Sequence, residues 1–554
     1  MKILIGSAWP YANGSLHLGH LAALLPADVI ARYHRAKGDS VYLVSGSDCH
    51  GTPVAIRARQ EGKTPLEISE YYHREFCECF NKLGFSFDRY GKTSSDEHRD
   101  FVTEFHRKMY DGEYIFERSA PQAFCGRCRR VLADRFVVGK CPVCGKPCRG
   151  DQCEACGTVL DPEELLSSVC SLCGSPISFR ETKHLFIAIS KLESELREYL
   201  KKHPGWRRNA VAFTKKYIDE GLRDRAVTRD LDWGIDVPKP GYEEKKIYIW
   251  AENVLGYLSM SRAVAAERGE AFDDLWGDDS RHYYVHGKDN IPFHTIILPA
   301  LMMANGGGWK LPDEIISSEY LTLEGRKFST SQNWAIWVKD IADRYDPDAI
   351  RYFLIANGPE KRDADFSWRE FVNRNNGELL GAYGNFVNRV LTFINKYFDG
   401  AVPGGTPDAE IGQKINALYP ELGKLIEAGE LKDALDSAFS LVRFGNKYFD
   451  SEQPWVTRTT DNAACASTLF NCVQMIANSA VLLEPFLPFS SAKLKKWLDL
   501  DGAWSAKYIP AGARVPFSEI LFERLDKSII DDELARLGNA TPPVVDLPAS
   551  PQTS

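Results

Sequence analysis

The sequence predicts an α/β protein in which a doubly wound parallel-sheet domain is interrupted by a cysteine-rich insertion and followed by an α-helical bundle. Three observations support this prediction. The first fifty residues alternate strand-like and helix-like patterns, nine of the 14 cysteines lie between Cys125 and Cys173, and amphipathic helical segments fill residues 371–521. Each pattern is typical of one of the three parts.

The N-terminal pattern begins the sheet. The apolar run KILIGSA ends at a loop rich in Pro, Asn and Gly, LGHLAALLPADVIARYHRA has helical periodicity, and SVYLVSGS is a second apolar run. Strand, crossover helix and strand are the start of a parallel sheet, whose ligands bind beyond the carboxyl ends of the strands. We therefore expect functional residues directly after these strands, where Asp48 lies.

The pattern changes along the chain give the expected domain boundaries. Strand-like KIYIW, YYVHG and EIISSEYLTL indicate that the sheet resumes after the insertion, and the Pro/Ser/Thr-rich end predicts a disordered tail. The expected parts are the first half of the sheet domain (1–113), the insertion (114–238, with its cysteines at 125–173), the second half (239–325), a loop and linker region (326–370), the helical domain (371–525) and the tail (526–554).

Composition bounds the class of protein. A chain of 554 residues suggests three or four domains, and 44% hydrophobic with 26% charged residues is typical of a folded globular protein. No run approaches about 18 uninterrupted apolar residues and the start lacks a signal-peptide pattern, so we expect a cytoplasmic protein without a membrane partner. The net charge of −8 argues against a general polyanion binder, although it does not exclude local basic patches.

Four C-x-x-C pairs in the insertion indicate metal binding. Eight cysteines are enough for two tetrahedral Cys₄ zinc sites, and the spacing leaves open the three ways of combining four pairs. Four thiolate ligands leave no open position for water, so these zinc ions are expected to be structural. An independent nucleic-acid-binding zinc ribbon is the less favoured alternative, because the pairs lie inside the sheet domain. Cys148 is left over.

The segment HLGH (residues 17–20) places two imidazoles at the predicted start of a helix. Free backbone N–H groups and the helix dipole favour an anion there, and a glycine lets a phosphate or a flat ring approach the backbone closely. The loop EGRKFSTS (residues 324–331) is basic and rich in hydroxyl groups, which suits a leaving pyrophosphate. Taken singly, the first segment is equally consistent with chance, and the second is more consistent with solvated surface.

Together and in this order, the two segments resemble the HIGH and KMSKS signatures of class I aminoacyl-tRNA synthetases. Within that class, PYANGSLHLGH, SDCHGTP, VTRDLDWG, HGKDNIPFH and NNGELLGAYGNFVNR resemble the methionyl-tRNA synthetase family over about residues 3–520. The resemblance implies a Rossmann-like catalytic domain and a helical anticodon-binding domain. It also implies the activity of that family: methionine and ATP, with Mg²⁺, give methionyl-adenylate and pyrophosphate, and the methionyl group then passes to the 3′ end of methionine tRNA.

The resemblance also implies roles for individual residues. An aspartate suits the α-ammonium of the amino acid, and aromatic walls suit its thioether, to which the Tyr257 hydroxyl could donate weakly. The implied catalytic residues are His17, His20, Arg229 and Lys327. The implied ATP-binding residues are Gly19, Asp289, Arg326, Lys327, Ser329, Thr330 and Ser331. The implied methionine-binding residues are Trp9, Pro10, Tyr11, Asp48, Trp250, Tyr257, Phe293 and His294.

Several positions depart from the family pattern. Thr330 replaces the second lysine of the KMSKS loop, which removes a charge near the triphosphate, and we expect slower activation. The family usually has Trp, Asp, Ala, Pro where this chain has WAENV (residues 250–254), and Leu298 stands where an aromatic is common. Arg229 could equally form a structural ion pair with Asp230. A hydrophobic slot discriminates poorly between near isosteres, so some misactivation of homocysteine is a further hypothesis.

The remaining implications concern metal, tRNA and assembly. The resemblance suggests nested zinc sites, with Cys141, Cys144, Cys153 and Cys156 inside and Cys125, Cys128, Cys170 and Cys173 outside. It places the readers of a CAU anticodon at Asn385, Arg389 and Trp455, since an indole can stack on an unpaired base. We expect a monomer. The rival interpretations are a nucleotidyl-transferring enzyme that does not use tRNA and a non-catalytic RNA-binding paralogue.

Overall fold

A computed structural model of the chain describes residues 1–132, 134–150, 153, 155–156, 158, 160–330, 332–516 and 519–538. The chain divides into two compact units. The first unit contains residues 1–15, 40–78 and 87–317, and the second contains residues 16–39, 79–86 and those from 318 onward.

The strands are β1 (Lys2–Ser7), β2 (Ser40–Ser47), β3 (Arg89–Lys92), β4 (Ile115–Cys125), β5 (Arg130–Val131), β6 (Val137–Lys140), β7 (Pro147–Arg149), β8 (Leu166–Cys170), β9 (Ser178–Ile187), β10 (Arg225–Ala226), β11 (Thr228–Arg229), β12 (Lys246–Ile247), β13 (Ser280–Gly287), β14 (Glu314–Ser318), β15 (Leu321–Leu323), β16 (Arg326–Lys327) and β17 (Ala364–Phe366).

The α-helices are α1 (Leu18–Lys37), α2 (Thr52–Gln60), α3 (Pro65–Lys82), α4 (Asp96–Tyr110), α5 (Glu193–Lys202), α6 (Arg208–Asp219), α7 (Gly256–Arg268), α8 (Leu298–Asn305), α9 (Val338–Arg344), α10 (Pro347–Ala356), α11 (Trp368–Arg374), α12 (Asn385–Tyr397), α13 (Ala409–Glu427), α14 (Leu431–Glu452), α15 (Pro454–Thr460), α16 (Asn462–Leu482), α17 (Pro488–Leu498) and α18 (Ser528–Arg536). Two π-helical segments, Phe293–Ile297 and Asn375–Gly384, precede α8 and α12.

The first unit is built on a five-stranded sheet in the order β14-β13-β1-β2-β3. β1 pairs in parallel with both β2 and β13, and β2 pairs in parallel with β3, which confirms the predicted parallel sheet. β2 and β3 lie on one side of β1, and the later strands β13 and β14 lie on the other. The strand order therefore reverses at β1, and sheets of this kind bind their ligands at such a reversal. The segments after β1, β2 and β13 begin with Ala8, Asp48 and Lys288 at that edge.

The insertion contains two small sheets of its own. β4 and β9 form a long antiparallel pair with Ile115 opposite Ile187 and Phe124 opposite Ser178, and β10 and β5 extend that sheet. β6 pairs antiparallel with β7 and β8 in the second sheet. The turns that follow β4, β6 and β8 carry three of the four cysteine pairs, so the sheets position these thiols.

The second unit combines a three-stranded sheet, β16-β15-β17, with the C-terminal helices. α16 packs against α12, α13, α14, α15 and α17. Among the described residues it is the one helix whose length and mean hydropathy would allow a membrane span, yet 94% of its apolar window is buried. It therefore has the surroundings of a core helix.

A buried ion pair joins α1 to α10 inside the second unit. The Arg351 guanidinium lies 2.7 Å from the Asp28 carboxylate, and both side chains are almost completely buried. Burial alone would raise the pKa of Asp28, but the neighbouring Arg351 and Arg32 lower it to about 2. Removing one partner of such a pair strongly destabilises a protein, because the other charge stays buried.

Two predicted segments differ from the structure. Of KIYIW, only Lys246–Ile247 forms a strand, because the chain turns into a 3₁₀ turn at Ile249–Ala251. The predicted disordered tail contains α18, which is anchored where the buried Glu533 carboxylate accepts hydrogen bonds from Arg344 and Tyr345. Residues 539–554 of that tail lie outside the described residues.

Candidate active site and metal sites

A buried carboxylate lies at the carboxyl end of β2. Asp48 is held by its backbone, since its N–H donates to the Pro10 carbonyl and its own carbonyl accepts from Ala12, both at 2.9 Å. Its side chain is 1% exposed, and Oδ2 accepts a hydrogen bond from Asn253 Nδ2 at 3.0 Å. Oδ1 is buried without a hydrogen-bond partner among the described residues. An unpaired buried carboxylate oxygen suits a cationic ligand.

A second carboxylate, Glu252, acts on Asp48, and two imidazoles contact that second carboxylate. Glu252 is fully buried, and its Oε1 lies 2.5 Å from His50 Nδ1 and 3.6 Å from His98 Nε2. Burial, and next the charge of Glu252, raise the pKa of Asp48 well above its usual range. Burial would raise the pKa of Glu252 too, but His50 lowers it. The cluster therefore holds one stable carboxylate and one that ionises fully only when a cation arrives.

The Trp9 indole lies between two glycines. A Cβ added at Gly46 would meet Trp9 at 2.3 Å and one added at Gly256 would meet it at 2.4 Å, so larger residues would displace the ring. Its edge faces Tyr257 at a centroid distance of 6.4 Å. Trp250 and Tyr257 belong to one large buried apolar cluster, and Trp9 and Phe293 pack against it.

The Tyr257 hydroxyl has a partner inside the protein. His294 Nδ1 lies 2.8 Å from the Asn290 carbonyl oxygen and must donate to it, while its Nε2 lies 2.8 Å from the Tyr257 hydroxyl. Burial lowers the pKa of His294 to about 4, so at neutral pH Nε2 accepts the tyrosine proton. In this structure the hydroxyl shares its one proton with His294, so donation to a thioether would require this hydrogen bond to break, and that role stays a prediction.

The other predicted residues of the first unit have varied surroundings. Tyr11 is 36% exposed beside Asp48, and Asp289 lies in the short 3₁₀ turn after β13. Arg229 lies 3.4 Å from Asp134 and stacks on the ring of Tyr248 at 4.5 Å. Arg229 therefore forms an ion pair, as the alternative expected, but with Asp134. Asp230 pairs with Lys245 instead.

The HLGH segment of the second unit forms the N-terminal cap of α1. The backbone N–H of Gly19 donates to His17 Nδ1 and that of His17 donates to His20 Nδ1, each at 3.1 Å, so the two imidazoles form a reciprocal capping box. Leu18 N–H donates to the Ile336 carbonyl at 3.1 Å, which ties the start of the helix to the chain after the basic loop.

The capping geometry determines which nitrogen carries the proton. Because Nδ1 of each ring accepts a backbone hydrogen bond, a neutral ring carries its proton on Nε2. Burial, and next the neighbouring His20, lower the pKa of His17 well below its usual range, and burial lowers the pKa of His20 to about 4. At neutral pH both rings are therefore neutral Nε2–H donors that could bind phosphate oxygens.

The basic loop begins as the turn of a hairpin, in which β15 pairs antiparallel with β16, and β16 is itself part of the loop. Lys327 lies opposite Thr322 with its ammonium 5.7 Å from the Tyr320 ring, and the Arg326 guanidinium lies 4.0 Å from the Trp334 ring. Ser329 and Trp334 exchange backbone hydrogen bonds that close the loop. Thr330 is the next residue along the chain after Ser329. Ser331 lies outside the described residues.

Phe328 is a residue that the sequence analysis missed. Its ring stacks on His17 with centroids 4.7 Å apart and an interplanar angle of 9°. The two histidine rings are themselves 3.9 Å apart. The stack brings the HLGH segment and the basic loop together inside the second unit, and the central aromatic residue of the loop was the signal that could have indicated it.

The predicted tRNA-binding residues lie on α12 and α15. Asn385 is exposed at the start of α12, and one turn later Arg389 donates to Asp450 at 2.5 Å. Trp455 is 45% exposed, with its ring 5.9 Å from both the Arg389 guanidinium and the Phe449 ring. An exposed indole beside a guanidinium is a suitable platform for an unpaired base.

The cysteine pairs combine into two tetrads. One contains Cys125, Cys128, Cys170 and Cys173, and the other contains Cys141, Cys144, Cys153 and Cys156. This is the nested arrangement that the resemblance implied, and both tetrads could hold a metal ion. Cross-pair Sγ–Sγ distances of 3.5 to 3.9 Å are too long for disulfides and match the edge of a tetrahedral thiolate site.

The local backbone supports the thiolate form. Gly145 and Gly174 follow the second cysteine of their pairs with φ of 71° and 67°, a left-handed conformation that favours glycine. The turn before Gly145 directs a backbone N–H group at sulfur, in the 3.4 Å contact from Val143 N to Cys141 Sγ. Cys148 lies on β7, outside both tetrads.

Solved structures share this fold. Mycobacterium tuberculosis methionyl-tRNA synthetase in complex with methionyl-adenylate superimposes with a TM-score of 0.79 and 24% identity, covering 95% of this chain and 100% of that one. A second structure of the same enzyme bound by methionyl-adenylate gives a TM-score of 0.78 and 23% identity, covering 94% and 99%. At this identity the likeness shows the fold.

Comparison with known sequences identifies the family. The model for tRNA synthetases class I (M) matches residues 3–391, and that for the anticodon binding domain of methionyl tRNA ligase matches residues 400–540. Methionine–tRNA ligase 1 of Alkaliphilus oremlandii is 52% identical over 97% of this chain and 100% of its own length. Methionine–tRNA ligase of Bacillus cereus is 50% identical over 98% and 100%, and methionine–tRNA ligase 2 of Bacillus anthracis is 51% identical over the same shares. The chain therefore belongs to the methionyl-tRNA synthetase family of class I tRNA synthetases.

Proposed function

We propose that this protein is a methionine–tRNA ligase that activates L-methionine with ATP and then transfers the methionyl group to methionine tRNA. The observation that carries the proposal is the unpaired, buried Oδ1 of Asp48 beside the aromatic cluster of Trp9 and Tyr257. An α-amino acid with an apolar, polarizable side chain matches both parts of that pocket. The relatives that share about half of the sequence carry the same name.

In the first step the methionine carboxylate attacks the α-phosphorus of ATP, and the bond to the bridging oxygen of the leaving pyrophosphate breaks. We assign amino-acid recognition to residues of the first unit and phosphate handling to residues of the second. Neutral Nε2–H groups of His17 and His20 donate to phosphate oxygens as negative charge builds on them, and Arg326 and Lys327 balance the charge of the pyrophosphate. Ser329, Thr330 and Ser331 add hydroxyl donors, and Gly19 admits the nucleotide to the backbone.

In the second step the 3′-terminal hydroxyl of the tRNA attacks the methionyl carbonyl, and AMP leaves. We propose that Asn385, Arg389 and Trp455 read the CAU anticodon, that Mg²⁺ accompanies ATP, and that the protein acts as a monomer in the cytoplasm. We also propose that Asp289 binds ATP and that Arg229 is a catalytic residue. The ion pair of Arg229 with Asp134 would hold its guanidinium in place.

The decisive test is ATP–pyrophosphate exchange measured separately with each of the twenty amino acids, followed by charging of methionine tRNA. We expect exchange that depends on methionine and charging of that tRNA alone. Exchange without charging would favour the rival enzyme that does not use tRNA, and absence of exchange with tRNA binding retained would favour the non-catalytic paralogue.

Trp455→Ala should lower kcat/KM for charging methionine tRNA by roughly tenfold to a hundredfold, because stacking of a base on an aromatic ring contributes about 1 to 3 kcal/mol. ATP–pyrophosphate exchange should not change, since that step needs no tRNA. Tyr508→Ala removes another exposed aromatic ring of the second unit and serves as the control. Unchanged charging by the Trp455 variant would rule out its assignment as an anticodon reader.

We propose that the two tetrads hold structural zinc ions. The four sulfurs of each tetrad converge at tetrahedral spacing, and zinc bound there would fold the insertion by crosslinking its turns. Cys141→Ser and Cys125→Ser should each remove one of two zinc ions per chain, measured by elemental analysis, and should lower the melting temperature. Cys148→Ser is the matched control and should retain both ions. Full zinc content in either tetrad variant would contradict the assignment.

A further inference from the structure

Two buried oxygen atoms of the first unit lack a hydrogen-bond donor. Asp48 Oδ1 and Asn253 Oδ1 are both buried, and neither has a hydrogen-bond partner in the described part of the chain. Buried polar atoms are almost always hydrogen-bonded, and an unpaired one costs about 1 to 3 kcal/mol. Two such atoms on side chains that contact each other indicate a ligand that donates hydrogen bonds to both.

The orientation of the Asn253 amide follows from its neighbour. Its Nδ2 lies 3.0 Å from Asp48 Oδ2 and donates to it. With Asp48 ionised, the form that binds an ammonium, the reversed amide would place one acceptor oxygen against another, so Oδ1 is the atom that remains free to accept. Asn253 begins the 3₁₀ turn Asn253–Leu255, which leads directly into α7 and Tyr257. The side chain is thus fixed by the backbone that also positions an aromatic wall.

We propose that Asn253 is a second residue that binds the α-ammonium of the amino acid, with its Oδ1 accepting one N–H while Asp48 Oδ1 accepts another. This inference rests on the proposed function and assigns a specificity residue to the same site. An ammonium has three donors and no acceptor, which matches two oxygen acceptors side by side. The family pattern usually has alanine at this position, which could not accept a hydrogen bond.

The consequence is selection for amino acids over hydroxy acids. A hydroxyl group has one donor and no charge, so it satisfies only one of the two oxygens and leaves the other buried and unpaired. Sites built to receive a hydrogen bond reject analogues that lack the donor more strongly than apolar pockets reject near isosteres. Asn253 therefore increases the preference for L-methionine over 2-hydroxy-4-(methylthio)butanoic acid.

The experiment compares ATP–pyrophosphate exchange of the wild type, Asn253→Ala and the control Asn416→Ala, which changes an exposed asparagine of α13. Each protein is assayed with L-methionine and with the hydroxy acid. Asn253→Ala should raise KM for L-methionine by about tenfold or more and change KM for the hydroxy acid by less than about threefold. An equal rise for both substrates would mean that Asn253 only orients Asp48, and an unchanged KM for methionine would also overturn the proposal.

A second variant separates the two hydrogen bonds of the amide. Asn253→Asp keeps an acceptor and loses the donor to Asp48, so it should preserve the preference for methionine better than Asn253→Ala does. Loss of that preference to the same extent in both variants would overturn the proposal. Thermal melting and calorimetric titration with L-methionine show that each variant is folded. Wild-type protein without methionine-dependent exchange would overturn the proposed function as well, whereas normal exchange by the wild type with an unaffected Asn253→Ala would overturn this inference alone.

Discussion

Replacement of Asp48 by asparagine should lower kcat/KM for methionine by roughly a hundredfold or more and leave the protein folded. The substitution is isosteric, and the new amide can still present an oxygen to Asn253 Nδ2. It removes the one fixed negative charge available to the ammonium, and loss of one partner of a buried charge pair costs about 2 to 5 kcal/mol. ATP–pyrophosphate exchange at varied methionine concentration measures the effect.

The same substitution should raise the stability of the ligand-free protein at neutral pH. Burial and Glu252 raise the pKa of Asp48 in the folded state, so the folded protein binds this proton more tightly than the unfolded chain does. That stabilisation is present below the pKa of an ordinary aspartate and is lost as pH rises through the higher folded value. At pH 7 the buried carboxyl group of Asp48 is therefore less favourable in the folded protein than in the unfolded chain, and Asp48→Asn should melt at a higher temperature.

Asp100→Asn, a change at an exposed aspartate of α4, is the matched control and should alter neither quantity. KM for methionine should also increase as pH falls through the raised pKa of Asp48, because the protonated acid has no negative charge to balance the ammonium. Full activity of Asp48→Asn would contradict the role of the charge, and a melting temperature below that of the wild type would contradict the stability argument.

His20→Gln should lower kcat for methionine activation by about 10²- to 10³-fold, which is the usual effect of removing one preorganised donor to a developing negative charge. Glutamine at the third position of a helix can accept from the backbone N–H of the capping residue, so it replaces the hydrogen bond from His17 and preserves α1. KM for methionine should stay within about threefold of the wild type. Rapid-quench measurement of adenylate formation isolates this step.

His203→Gln, which alters a histidine at the end of α5, is the control for this substitution. Because both histidines of the HLGH segment are neutral through the physiological range, kcat should vary little between about pH 6 and pH 8 on their account. A rate that falls as His20 loses a proton near neutral pH would show that the active form is the imidazolium and would overturn the assigned tautomer.

The sequence predicted those parts of the site that depend on local patterns. Apolar runs located β1 and β2, and the polar residues after them are at the predicted edge of the sheet. The C-x-x-C spacing predicted two tetrads, and the resemblance predicted which pairs combine. The reciprocal cap of α1 also follows from local order, because His17 and His20 are three residues apart on one turn of helix.

The remaining features depend on contacts between distant segments. Asp134 pairs with Arg229 across 95 positions of sequence, and Phe328 lies on His17 because a hairpin and a helix N-terminus meet. The hydrogen bond between Tyr257 and His294 joins two different elements, so no local pattern indicated it. α18 was missed because its apolar pattern is short and its anchor, Glu533, is a charged residue that sequence patterns place at the surface.

The position of the Trp9 indole between two glycines restricts how the substrate range of this protein can evolve. Gly46 and Gly256 lie on different elements, and a methyl group on either one would collide with the indole. A single substitution at either glycine is therefore excluded unless Trp9 shrinks in the same step, which requires two simultaneous mutations. Asn253 and Leu298 are constrained instead by a hydrogen bond to Asp48 and by burial, and neither is a glycine whose added Cβ would meet the indole. Natural variation and laboratory libraries should accordingly alter selectivity at those positions while the indole and its two glycines stay unchanged.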